Sequence, residues 1–283
     1  MLCLAGVAAA CSSADDGAAP VAAPVVILSS PAAAIGSPLE MTYRFTVPPD
    51  APAFAEDYWL FVHFLDNNDE LMWTDDHQPP TPTRQWQPGS TIEYRRTTFI
   101  PKFPYIGEAR IEIGMFSQAT GDRLPLAGTS AGQRSYRVAT FDMRLQSENV
   151  FVVFKDGWHD TEVDSPGHEW QWSKKAGTLS FRNPQRDVRF YLQVDQPVPA
   201  AFTEPQRVEL RIGETVTDTF VMAQGGIETR RIDIPAGRLG AAETVDVTVS
   251  VDKTFIPAEV PTLKSTDSRE LGIRVFRAFV QPL

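Results

Sequence analysis

Val245, Val247, Val249 and Val251 alternate with Asp246, Thr248 and Ser250 without a break. Successive side chains of a strand point to opposite faces of its sheet, so a period of two with β-branched residues on one side describes a half-buried strand. The same period sets Leu39, Met41, Tyr43, Phe45 and Val47 against Glu40, Thr42, Arg44 and Thr46. It returns in residues 91–100 and in Ala109, Ile111, Ile113 and Met115, and residues 136–145 are a further apolar segment. Short β-branched runs bounded by turn residues follow at 151–154, 178–181, 188–194, 208–212, 230–234, 245–251 and 271–280. No window beyond the first residues repeats every 3.6 residues, and parallel strands would need helices as crossovers. The expectation is an all-β chain of two antiparallel β-sandwiches, Ig-like or jelly-roll-like, in tandem, at 25–146 and 147–283. A length of 283 residues is enough for two cores.

The stretch 57–66 is apolar at both parities, with Trp59, Phe61, His63 and Leu65 on one side and Tyr58, Leu60, Val62 and Phe64 on the other. It reads as a central strand buried on two faces. Asp66, Asn67, Asn68 and Asp69 supply a turn into a return strand at 70–74. The polar, proline-rich excursion from Asp75 to Thr83, in a loop that runs on to Gly89, cannot pair in a sheet, because proline removes backbone donors.

A net charge of -10 and a pI near 4.9, with no cluster of Lys or Arg, exclude a nucleic-acid partner, which needs concentrated positive charge. The two cysteines, Cys3 and Cys11, both lie in the first residues, so neither a disulfide framework nor a cysteine metal site is expected in the folded part. Residues 1–10 form a short apolar run ending in Ala8, Ala9 and Ala10, directly before Cys11. This looks like a bacterial lipoprotein signal, with Cys11 as the lipidated anchor, although Ala8 stands where a larger aliphatic residue is usual and no Lys or Arg precedes the run. Residues 12–24 read as a flexible tether. The expected location is the cell envelope, extracytoplasmic, with the membrane reached through lipid.

Four groups could carry chemistry. His63, Asp75, Asp76 and His77 offer imidazoles and carboxylates suited to zinc. The structural reading is preferred: His63 sits in the core and bonds the loop that carries Asp76 and His77, since buried polar groups normally find protein partners. Asp66, Asn68 and Glu70 copy the spacing of a calcium loop, yet Leu71 replaces its glycine and His77 its final glutamate, so a hairpin turn accounts for them. Gly128, Ser130 and Gly132 match G-x-S-x-G outside the strand-to-helix context that gives the motif meaning. The fourth group crowds His159, Asp160, Glu162, Asp164, His168 and Glu169 around Trp158, Trp170 and Trp172. Trp170 and Trp172, two apart, share one face of a strand and could stack on a sugar ring while His159 and Lys174 bond its hydroxyls. The competing reading puts both tryptophans in a core. No cofactor is expected, and no catalytic residue is assigned.

Residues 61–66, 76–83, 86–89, 113–116 and 120–124 resemble a β-sandwich module of the extracytoplasmic C-terminal parts of bacterial membrane glycosyltransferases and of uncharacterised envelope proteins. The likeness covers residues 35–126. Gly157-Trp158-His159, residues 170–173, Asn183-Pro184 and residues 267–275 look like a companion domain of the same proteins. The multi-span part that holds the glycosyltransferase active site has no counterpart here, so the resemblance implies an accessory role near glycans and carries no catalytic residue. The expectation is a non-catalytic, lipid-anchored envelope protein that binds carbohydrate or assists the handling of envelope polysaccharide. The alternatives are an assembly protein that binds another envelope protein through a sheet edge or the proline-rich loop, and a metal-assisted or glycosidic hydrolase.

Overall fold

The computed structural model describes residues 17–146, 150–164, 168–198, 201–222 and 226–283. Cys3 and Cys11 lie outside them, and so does the expected signal. The chain divides into two compact units, Met1–Gln146 and Ser147–Leu283. Both are all-β, and the one α-helix among the described residues is the four-residue α1 (Ala236–Leu239). No helix of the described residues is long and apolar enough to cross a membrane.

The first unit contains β1 (Ala23–Leu28), β2 (Ala32–Ala34), β3 (Pro38–Thr46), β4 (Trp59–Leu65), β5 (Leu71–Thr74), β6 (Thr91–Phe99), β7 (Gly107–Phe116), β8 (Arg123–Leu124), β9 (Thr129–Gly132) and β10 (Ser135–Arg144). A three-stranded sheet runs β1-β3-β6, and a seven-stranded sheet runs β2-β10-β7-β4-β5 with β8 and β9 paired on β7 and β10. All of these pairs are antiparallel except β2 with β10. Met41, Tyr43 and Phe45 of β3 meet Leu60, Val62 and Phe64 of β4 and Ile111, Ile113 and Met115 of β7 in one continuous core, which makes the pair of sheets a sandwich.

The fold starts earlier than the composition of residues 12–24 implies. Val21 and Ala22 are buried, Ala22 bridges Leu126, and Ala23 and Pro24 already belong to β1. Ala22 is small enough to pack beneath the neighbouring strands, whereas Ala18 and Ala19 stay exposed.

The second unit contains β11 (Val152–Phe154), β12 (Glu162–Val163), β13 (Glu169–Trp172), β14 (Ala176–Arg182), β15 (Val188–Asp195), β16 (Arg207–Ile212), β17 (Thr215–Val221), β18 (Glu228–Ile234), β19 (Thr244–Val251) and β20 (Arg274–Pro282). Two five-stranded sheets run β11-β14-β19-β16-β17 and β12-β13-β20-β15-β18. The valines of β19 join Leu179, Phe181, Val208 and Leu210 against Val188, Phe190, Leu192 and Val194 of β15, so the alternation in the sequence marks the inner faces. A smaller core of Trp172, Phe255 and Leu271 packs with Val198, Ala201, Phe202 and Val260. Gln206 donates to Lys253 O at 2.7 Å and Gln196 donates to Gly272 O at 2.8 Å, and these bonds fasten the segment between β19 and β20.

Candidate functional site

Strand β4 turns Leu60, Val62 and Phe64 into the core, so Trp59, Phe61, His63 and Leu65 face the other way. Phe61 is buried on that outer side beneath the Arg123 guanidinium, which lies 4.3 Å from the ring centroid. Trp59, His63 and Leu65 are half-buried. The strand is therefore fully covered on one face and partly on the other.

His63 makes no hydrogen bond to the Asp76-His77 loop, contrary to the expectation; Asp76 reaches it only through its charge, and the loop is anchored by other groups. The backbone N–H of Val62 donates to Asp76 Oδ1 at 3.0 Å, and His77 exchanges two backbone bonds with Leu60 at 2.8 and 2.9 Å. Desolvation lowers the His63 pKa, and the ring packs on Phe61 with centroids 4.6 Å apart. His77 is only 5% exposed and spends both ring nitrogens on protein groups, Asp75 O at 2.8 Å and Tyr94 Oη at 2.9 Å. Among the described residues no three His, Cys, Asp or Glu side chains are arranged to hold a metal ion.

Asp66 Oδ1 accepts from the N–H groups of Asn68 and Glu70 at 2.8 and 2.9 Å, an Asx turn that closes the β4–β5 hairpin. Ser130 lies within β9, paired antiparallel with β10, which is not the elbow its motif needs.

The three tryptophans do not form one exposed surface. Trp158 packs over Gly177 and against Phe154, with centroids 4.9 Å apart, and its Nε1 donates to Thr178 O at 2.9 Å. Trp172 is 7% exposed and packs edge-on against Phe255 at 5.7 Å. His159 Nε2 lies 2.8 Å from Glu270 O, and His168 Nδ1 lies 2.9 Å from Asp164 Oδ2. Lys174 is exposed on the turn after β13. Trp158 and Trp172 thus serve as packing residues, as expected of large apolar rings.

Trp170 differs. It is half-buried, and its indole Nε1 has no hydrogen-bond partner. The guanidinium of Arg274 lies over Trp170 at 4.8 Å, Phe276 at 5.2 Å and Trp172 at 5.9 Å, and it is held by a two-pronged ion pair with Asp195, one prong at 2.7 Å. Trp172 faces Arg274 across β13 and β20, and Arg274 faces Asp195 across β20 and β15. Cross-strand partners share a face, so all of these side chains lie on the outer side of the sheet, away from the valine-rich core.

A register shift at Gln193/Val194 leaves Phe276 as the extra residue on β20 and returns Arg277 and Phe279 to the same outer side. The outer face therefore runs from Trp170 and Phe276 through Arg277 and Gln193 to Phe279, Tyr191 and Gln281. Trp170, Phe276, Phe279 and Gln193 are half-buried, and Arg277 and Gln281 are exposed. Tyr191 lies deepest, 1% exposed, with its Oη 3.3 Å from Gln281 Oε1. Rigid strands carrying aromatic rings beside amide and guanidinium groups can stack on a flat apolar ligand face and bond the hydroxyls around it.

No family model matches the sequence, and no curated protein matches it. Among solved structures, the chain is similar to the alkylpurine DNA glycosylase AlkC of Pseudomonas fluorescens bound to DNA containing an abasic-site analogue, at 12% identity over 44% of this chain and 31% of that one, with a TM-score of 0.28. It is also similar to the CBM51-2 and INT domains of Clostridium perfringens ZmpB, at 6% identity over 62% of this chain and 37% of that one, with a TM-score of 0.26. A third similarity is to the collagen adhesin CNA of S. aureus, at 9% identity over 94% of this chain and 99% of that one, with a TM-score of 0.21. The chain spans about a third of the length of the first two. Likeness this distant carries no functional argument.

Proposed function

We propose that the protein is a non-catalytic carbohydrate-binding protein of the cell envelope, and that its site is the outer face of the β12-β13-β20-β15-β18 sheet. The observation that carries the reading is the line of Trp170, Phe276 and Phe279 on rigid strands, with Gln193, Arg277 and Gln281 beside it. Sugar rings have an apolar face and a hydroxyl rim, and this surface offers both kinds of partner. Compared with the residues marked by the sequence, the site keeps Trp170 and gives up Trp158, Trp172, His159 and Lys174.

Glycan-array binding by the full chain tests it. Phe279→Ala and Trp170→Ala are expected to weaken binding about tenfold or more, since truncating a central aromatic at an interface costs about 2 kcal/mol. Wild-type signal in both variants, with far-ultraviolet circular dichroism unchanged, removes the site. The same proposal tethers the chain by lipid at Cys11. Cells fed radioactive palmitate are expected to label the wild type and not Cys11→Ser, and an unlabelled wild type ends the anchor.

A further inference from the structure

We propose that residues 75–89 form an acid-released strap, latched across the two sheets of the first unit by His77 and freed when that imidazole is protonated. The inference is independent of the glycan reading. His77 is tied by its backbone to β4 of the large sheet and by its ring to Tyr94 on β6 of the small one. Its Nδ1 faces a carbonyl oxygen, Asp75 O, which can only accept, so Nδ1 carries the hydrogen and Nε2 takes the Tyr94 hydroxyl hydrogen. The latch is therefore built for the neutral ring.

The surroundings oppose a second proton. From β6, Arg96 already brings a positive charge and pairs with Asp75 at 2.9 Å through a guanidinium fork. Tyr43 on β3 and Tyr94 present ring edges at 5.3 and 5.8 Å. Asp76 is occupied by the Val62 N–H. A hydrogen on Nε2 would meet the Tyr94 hydroxyl head-on and force that bond to turn over. Burial first, and Arg96 second, lower the imidazole pKa to about 4, against the opposing pull of Asp75.

The sign follows from linkage. A released imidazole takes its proton near pH 6.5 and a latched one only near 4, so the released state gains as pH falls across that interval. The gain is about tenfold per pH unit in the middle of the interval and about 80-fold between pH 6.5 and pH 4. What opens is defined by the far end of the strap. Trp86, 2% exposed, packs against Phe45 and Phe54 at 5.1 and 5.6 Å, and Thr83 Oγ1 accepts from Tyr58 N at 2.8 Å and donates to Glu56 O at 2.8 Å.

Amide hydrogen exchange of the full chain between pH 6.5 and pH 4, corrected for the intrinsic rate, tests the strap. Residues 78–88, together with the Leu60 and Val62 amides that bond the strap, are expected to lose protection by about 80-fold while β7 holds its own, and His77→Gln, which cannot charge, is expected to show strap protection that does not change with pH. Loss of protection in the strap and β7 together, or the same pH profile in His77→Gln, overturns the proposal. Should that variant fail to fold, a titration of the histidine rings by nuclear magnetic resonance decides on the wild type. An imidazole of His77 that titrates near 6.5 in the folded chain also overturns it.

Discussion

Gly157→Ala is expected to destabilise the second unit by about 3–5 kcal/mol, at the upper end of what a single substitution does. The residue has a φ of +85°, which an L side chain adopts only with strain, and a Cβ there would stand 2.0 Å from Ala176 O and 2.7 Å from Gly177 Cα. Both obstacles are backbone atoms, so relief requires β14 itself to move. That strand is not free, because Gly177 lies under the Trp158 ring, whose nearest atom would be 2.5 Å from a Cβ. The turn is closed by Lys174 N donating to Gly157 O and Thr178 N donating to Asp156 O, each at 2.8 Å. Overpacking and backbone strain therefore act together. Urea denaturation measures the change, and a loss below 1 kcal/mol would show that the turn relaxes cheaply and that Trp158 does not depend on this glycine.

The valines of β19 and the apolar run of β3 were legible because one parity is apolar and the other polar, which leaves no doubt about the face that turns inward. Strand β4 was legible as a strand but not as to direction: with both parities apolar, nothing local decides whether Val62 or His63 meets the core. Strand β17 was missed because Thr215–Val221 is an edge strand dominated by threonine and aspartate. The i, i+2 spacing did place Trp170 and Trp172 beside the same guanidinium. What covers Trp172 comes from Phe255 and Leu271, remote in sequence, and no local pattern announces that. Phe276 and Arg277 escaped for another reason: the bulge at Gln193/Val194 breaks the period of two, so neighbours in sequence end on the same face.

Asp195→Ala is expected to cost about 3–5 kcal/mol, because it strands the Arg274 guanidinium in a setting where both partners are largely shielded from water. The asymmetry of buried ion pairs gives a sharper test than the single variant. Arg274 is enclosed by Trp170, Trp172 and Phe276, so a methionine in its place would fill the space between the rings without a charge to compensate. The double variant Asp195→Ala with Arg274→Met is therefore expected to recover about half or more of what Asp195→Ala loses, since removing both charges also removes the desolvation that they must offset. The consequence for binding runs the other way. Arg274 fixes the tilt of Trp170 and Phe276 at the head of the outer face, and a repacked methionine leaves those rings free to turn. Stability should return in the double variant while glycan affinity stays low, whereas recovery of both would mean that the arginine supports the fold alone and that Trp170 needs no partner to hold it for a ligand.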